Sequence, residues 1–443
     1  MSRSPPCILY EIVPWVNPVA ALLRRLINSK VCSTLLVTFY TFMSNTTDIA
    51  IVNGARTPMG RYCGKLRDFT AMDLGAIAAT EAMKRSGVEP GEIDHVVMGN
   101  AQQTSGDSLY GARHVGLKAG VPTEVPALTV NRLCGSGMQS IVTAAQMIQL
   151  GESKIALAGG MESMSQAPHV IRGMRWGVGF GEGKLEDSLM VMLLDTYCGM
   201  YMANTAELYA EQQGVTREMQ DEFALRSQKT ADAACKAGRL QEELTPVPLR
   251  NRKGEPTGEM FTEDDNRRPE TTMDSLAKLK PAFGKNGSVT AGNASGIVDG
   301  GAAVVVMPLA EAEKRNLKPM ARIVSWGIAG VDPKIMGSGP VPATHIALKK
   351  AGLKLDDIDL IEVNEAFAAQ YLAVEKELGL DRNKVNVNGG AIALGHPLGA
   401  TGTRLLITLA NELRRRKGKY GLSTACIGGG QGIAVIIENL RHD

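Results

Sequence analysis

Cys134 lies in Asn131-Arg132-Leu133-Cys134-Gly135-Ser136-Gly137, where a strand-like run gives way to a helical pattern. A helix N-terminus presents unpaired N–H groups and partial positive charge, and both favour a thiolate. Gly135 and Gly137 are expected to keep side chains away from the sulfur. This context suits a nucleophile; locally it suits a buried structural cysteine equally well. His396 stands in Asn388-Gly389-Gly390-Ala391-Ile392-Ala393-Leu394-Gly395-His396-Pro397-Leu398-Gly399-Ala400. Glycines before it and proline after it predict a rigid turn ahead of a helix. A neutral imidazole there can take a thiol proton; the bland alternative is a capping or surface histidine. Cys426 ends a strand and precedes Gly428-Gly429-Gly430-Gln431-Gly432. Ile433 to Ile437 then reads as a strand, not a helix, so the run is no dinucleotide loop. Glycines beside a thiol fit better as backbone donors around a reacting carbonyl.

Turns of this kind need strands and helices that end at them, and the chain supplies both. From Asp48 onward, apolar strand-like runs alternate with longer helical patterns, the mark of an α/β fold. Strands are expected near 49–53, 94–98, 128–131 and 154–158, with helices at 71–86, 111–119 and 138–150. A similar order recurs late. Ala82-Met83-Lys84-Arg85-Ser86-Gly87 is matched by Ala347-Leu348-Lys349-Lys350-Ala351-Gly352, and Thr129-Val130-Asn131 by Asn386-Val387-Asn388. Helices at 138–150 and 401–415 each follow a glycine-rich turn and lead to a strand ending in glycines. That repetition predicts an internal duplication. Residues 163–288 break the pattern with amphipathic helices, the clearest at 216–238, and a charged, turn-rich part at 250–270. They read as an insertion between the fourth and fifth strands of the first half, the kind of segment that carries binding function.

Composition limits the chemistry. The chain is 44% hydrophobic and 21% charged with net charge +2, which is ordinary globular composition. Near-zero charge and 5% aromatic residues argue against a nucleic-acid binder. Seven cysteines without CxxC or HxxxH spacing predict neither a disulfide scaffold nor a metal site. A reducing, cytoplasmic setting is expected, or a mitochondrial one if the leader is a transit peptide. That leader, residues 1–42, is basic and acid-poor. Its apolar stretch from Val31 to Met43 is about 13 residues, short of the roughly 20 a membrane helix needs. It is expected to be disordered or not native, with Met43 a plausible start, and no membrane partner is expected.

Taken together, Asn131-Arg132-Leu133-Cys134-Gly135-Ser136-Gly137, Asn364-Glu365-Ala366-Phe367, Gly395-His396-Pro397 and Cys426-Ile427-Gly428-Gly429-Gly430 resemble the signature blocks of the thiolase family. Thr290-Ala291-Gly292-Asn293-Ala294-Ser295-Gly296 is similar to the family too. The resemblance runs from about Asp48 to the C-terminus. It implies two βαβαβαββ halves in a five-layer α-β-α-β-α arrangement with an inserted loop domain. The corresponding parts are 43–163 with 289–313, the CoA-binding loop domain 164–288, and 314–443. It also implies a reversible condensation of two acetyl-CoA to acetoacetyl-CoA and CoA. Coenzyme A is then substrate and product, with no permanent cofactor. A homodimer or homotetramer is the implied assembly.

By the same resemblance, Cys134 carries the acyl group, His396 activates it, and Cys426 moves the α-carbon proton. Asn364 holds a water in one oxyanion hole; the N–H groups of Cys134 and Gly428 form the other. Arg268 falls near the nucleotide end of CoA and Ser295 near the pantetheine. Phe283, Met336 and Phe367 line the acyl or pantetheine pocket. One departure stands out: short-chain relatives carry Gly-Tyr-His-Met where this chain has Gly199-Met200-Tyr201-Met202. Tyr201 replaces a histidine at the thioester end of CoA, while Met202 is kept. The alternative is a degradative 3-ketoacyl-CoA thiolase of broader chain length. A 3-ketoacyl synthase would need a second histidine; His345, expected to start a helix, and His442 lack the glycine-rich turn. A non-catalytic lipid carrier would not need Cys134, His396 and Cys426 together.

Overall fold

A computed structural model describes residues 47–251 and 253–441; the leader, residues 1–42, lies outside them. The first half runs β1 (Ile49–Arg56), α1 (Ala71–Ser86), β2 (His95–Gly99), α2 (Ala112–Lys118), β3 (Ala127–Val130), α3 (Ser136–Gln149) and β4 (Ala156–Glu162). Next come α4 (Met202–Gln212), α5 (Arg217–Lys236) and a hairpin of β5 (Val247–Arg250) with β6 (Pro256–Phe261). β7 (Val298–Pro308) returns to the first half. The second half is β8 (Ala321–Gly330), α6 (Pro340–Ala351), β9 (Leu360–Val363), α7 (Ala368–Leu378), α8 (Leu398–Arg416), β10 (Tyr420–Ile427) and β11 (Gln431–Asn439).

The strands follow the order β9-β10-β11-β8-β1-β7-β4-β2-β3. Read outward from the β1–β8 seam, both halves have one plan: two antiparallel neighbours, then parallel pairing. The seam is three residue pairs, Ile49–Ile323, Ala50–Arg322 and Ile51–Ala321. The halves are thus joined edge to edge as well as packed face to face, which the sequence did not announce.

Layering follows from alternation along strands buried on both faces. On β7, Val304 and Val306 point into a central core with Met138 and Ile141 of α3 and Leu405 and Leu409 of α8. Val305 and Met307 point the other way, onto Met72 and Met83 of α1. On β11, Val435 and Ile437 face the same central core, while Ala434 and Ile436 face Val341 of α6 and Tyr371 of α7. Helix, sheet, helix pair, sheet, helix are the five layers. The central helices approach closely because glycine lines their contact. A Cβ on Gly137 would stand 2.6 Å from the Thr403 amide nitrogen, and one on Gly402 2.4 Å from that of Met138.

Two sequence expectations need amending. Asn386-Val387-Asn388 is not a strand like Thr129-Val130-Asn131; only a bridge from Ile361 to Val385 forms. Asn386 turns left-handed at φ 47°. Its side chain bonds both the amide and the carbonyl of Val363, at 2.9 Å each, in place of a backbone ladder. The charged stretch 250–270 hides the β5–β6 hairpin. Five of the six β6 residues are exposed, so no apolar alternation marked it. Among the described residues, no helix is long and apolar enough to cross a membrane.

Candidate active site

Cys134 follows β3 through a strained turn: Leu133 has φ 44°, a left-handed value unusual for a residue with a side chain. A short 3₁₀ turn, Leu133–Gly135, then opens α3. The flanking glycines serve packing rather than clearance of the sulfur. A Cβ on Gly135 would meet Ile427 at 2.6 Å, and one on Gly137 would meet Gly399 O at 2.7 Å. Burial pushes the Cys134 thiol up to about 11, against the opposite pull of hydrogen bonds from the Gly428 amide and its own. The helix N-terminus therefore does not yield a resting thiolate, and Cys134 needs a base.

His396 has the form of that base. Its amide donates to Gly296 O at 3.0 Å. Its Nδ1 lies 2.6 Å from Thr401 Oγ1, whose hydroxyl donates to Pro397 O at 3.0 Å. With that hydrogen committed, Nδ1 carries the proton and Nε2 keeps its lone pair. Nε2 faces Asn364 Nδ2 at 3.3 Å. Asn364 is fully buried, and its Oδ1 has no hydrogen-bond partner among the described residues. A polar atom so placed suits a small polar guest.

Burial, with a smaller contribution from Arg404, lowers the His396 pKa from 6.5 to about 3. The imidazole is therefore neutral at any working pH. Above pH 6.5 it is neutral in both folded and unfolded chains and leaves stability unchanged. From pH 6.5 down to about 3 only the unfolded chain takes up the proton, so stability falls as pH falls. The loss is about 1.4 kcal/mol per pH unit at most. His396→Asn should shrink the drop in unfolding free energy between about pH 7 and 5 by up to about 2 kcal/mol. Urea melts at the two pH values measure it; an unchanged drop would mean that His396 titrates as if exposed.

Cys134, His396 and Cys426 line one cavity of about 460 Å³. Arg268, Ser295, Met202, Phe283, Met336 and Phe367 line it too. The other three expected residues support it from behind. Tyr201 packs its ring on Phe283 with centroids 5.3 Å apart. Asn364 backs His396, and Gly428 directs its amide at the Cys134 sulfur. Ser295 is fixed by its amide, which donates to Ala366 O at 3.0 Å. Cys426 is fully buried against Met336, Ala366, Met202 and Phe367. Its thiol is pushed well above the usual range, first by burial and then by the charge that Cys134 can carry. The two sulfurs therefore sense each other.

Sequence reading missed Arg61, Tyr62, Met164, Leu193 and Leu398 on the cavity wall, and Thr401 behind His396. Thr401 stood one helical turn past the Pro397 cap, a placement that could have flagged it. Leu398 lies two residues past His396 in the same glycine-rich run; Arg61, Tyr62, Met164 and Leu193 come from segments remote in sequence, with no local signal. His345 lies inside α6 rather than at its start, away from this cavity.

Residues 49–310 match the family description "Thiolase, N-terminal domain", and residues 317–439 match "Thiolase, C-terminal domain". The chain is 53% identical over 392 residues to the human "3-ketoacyl-CoA thiolase, mitochondrial", covering 88% of this chain and 98% of that protein. It is 50% identical over 393 residues to the "Acetyl-CoA acetyltransferase" of Cupriavidus necator, covering 88% and 99%. The crystal structure of human mitochondrial 3-ketoacyl-CoA thiolase in complex with CoA superposes with a TM-score of 0.86 at 52% identity. It covers 89% of this chain and 98% of that one. With both family domains matched and identity above half across the folded chain, the protein belongs to the thiolase family and is an enzyme of its acyltransferase class.

Proposed function

We propose that this thiolase interconverts two acetyl-CoA with acetoacetyl-CoA and CoA through an acyl-Cys134 intermediate. The observation that carries the reading is the meeting of Cys134, His396 and Cys426 in one cavity, with the Gly428 amide on the sulfur. In the first half-reaction the Cys134 proton passes to His396 Nε2, the sulfur attacks the thioester carbonyl, and CoA leaves as a thiol on regaining that proton. In the second, Cys426 passes its thiol proton to the His396 Nε2 that the departing CoA has left free, and the resulting thiolate takes a proton from the α-carbon of another acetyl-CoA. The carbanion attacks the acyl-cysteine carbonyl, and Cys134 leaves as a thiolate that recovers a proton from the His396 imidazolium. The amides of Cys134 and Gly428 hold one developing oxyanion; His396 and a water on Asn364 hold the other.

Coenzyme A enters as substrate and leaves as product. Segment 164–288 is its binding portion, 43–163 with 289–313 and 314–443 being the two halves. Arg268 suits the nucleotide end, Ser295 the pantetheine, and Phe283, Met336 and Phe367 the apolar arm. The CoA-bound relative of the same fold supports this reading. A homodimer or homotetramer is supported by the edge strand β3. Leu128 is exposed there beside exposed Leu109, Tyr110 and Leu117. The basic leader and the mitochondrial relatives support a mitochondrial address over the cytoplasmic expectation.

A second reading, a 3-ketoacyl-CoA thiolase of broader chain length, is favoured by Tyr201 and by a cavity walled with Met164, Leu193, Phe283 and Leu398. Thiolysis of 3-ketoacyl-CoA substrates from four to sixteen carbons separates the two. The acetyl reading expects kcat/KM to fall at least about 10-fold for each added pair of carbons, as overpacked apolar walls would impose. A flat or rising profile selects the broader enzyme.

A further inference from the structure

Glu162, the last residue of β4, is a fully buried carboxylate that the proposed chemistry does not use. Each of its oxygens accepts two donors. Oε1 takes Asn100 Nδ2 at 2.8 Å and the Gln102 amide at 3.1 Å. Oε2 takes the Ala101 amide at 3.1 Å and the Gly399 amide at 2.9 Å. Its acceptor capacity is full.

The two sides of this carboxylate lead to different parts of the site. Gly399 lies in the first turn of α8, where the helix end favours a negative charge. The same turn holds His396 through Thr401. It sits hard against the strand ends of the first half: a Cβ on Gly160 would stand 1.9 Å from Gly399 O, and one on Gly399 2.4 Å from Met161 O. On the other side, Ala101 O accepts from Asn131 Nδ2 at 3.0 Å. Asn131 Oδ1 accepts from the Leu133 amide at 2.9 Å. Leu133 is the strained residue that aims Cys134. An unbroken hydrogen-bonded run, Gly399–Glu162–Ala101–Asn131–Leu133, thus joins the histidine turn of one half to the cysteine turn of the other.

We propose that Glu162 is a positioning residue that holds these two turns in register across the halves. The proposal rests on the roles assigned above to Cys134 and His396. Glutamine cannot replace it. An amide offers one oxygen, and its NH2 group would face two of the four donors. Asn131 is exposed, so Asn131→Leu cuts the far link without touching the buried carboxylate.

Glu162→Gln and Asn131→Leu are each expected to lower kcat for acetoacetyl-CoA thiolysis about 10- to 100-fold, the scale of a misplacement near 1 Å, with KM within about twofold. Alkylation of Cys134 by iodoacetamide should slow in step, read by intact-protein mass spectrometry. The double variant should be no slower than the worse single one, because a single relay is cut only once. Wild-type kcat in either folded variant, or multiplicative losses in the double, would overturn the proposal. If Glu162→Gln does not fold, Asn131→Leu decides alone, by the same kcat and alkylation readings. Labelling of a cysteine other than Cys134 in the unmutated enzyme would instead overturn the catalytic assignment. Labelling of Cys134 with unaffected variants overturns only the relay.

Discussion

Cys134→Ser is expected to lose acyl transfer on the order of 10⁴-fold or more, and to carry no acetyl group after incubation with acetyl-CoA. A thiolate is accessible near neutral pH, whereas a serine alkoxide is far harder to form. The fold makes the demand sharper. Burial already raises the Cys134 thiol to about 11. A neutral His396 must therefore take the proton in the same event that forms the new thioester. A hydroxyl in that place would ask the same imidazole for several further units of basicity. The Gly428 amide would still point at the substituted atom, so binding and oxyanion contacts should survive and KM should change little. Intact-protein mass spectrometry after acetyl-CoA incubation reads the adduct directly. An acetyl group retained on another cysteine of the variant would remove Cys134 from its role.

What the sequence made legible was local. Cys134, His396 and Cys426 each sit in a short glycine-rich stretch of contiguous sequence, so the turns could be read without knowing the fold. The repeated order of elements was legible for the same reason: its landmarks, 82–87 against 347–352 and the glycine-rich turns ahead of the helices at 138–150 and 401–415, are each contiguous in sequence. The contacts between halves were not legible. The β1–β8 seam pairs residues with ordinary strand sequences, and nothing in Ile49 or Ile323 names the other. Gly135 and Gly137 were read as clearing space for the sulfur, whereas their missing side chains admit Ile427 and Gly399 of the other half. The helix-end argument for a thiolate was sound as a local statement. It was overridden by desolvation, which only the packed structure reveals. Likewise, Tyr201 could be seen to replace a histidine, but its seat on the Phe283 ring required the fold.

Cys426→Ser should separate the two half-reactions. The variant is expected to accept an acetyl group on Cys134 and to exchange it between CoA thiols at close to the normal rate. Neither step moves an α-carbon proton. Condensation and thiolysis should both fall by at least about 100-fold, the low end of what a positioned acid–base group supplies. Deuterium exchange at the acetyl methyl group should fall with them. Burial raises the Cys426 thiol, and any charge on Cys134 would raise it further. Cys134 rests as a thiol, so burial is the main obstacle, and Cys426 must give up its own proton before it can take one from carbon. A Cys426→Ser enzyme that failed to acylate would make Cys426 part of the activation of Cys134. One that condensed at the wild-type rate would leave Cys426 a packing residue beside Met336 and Phe367.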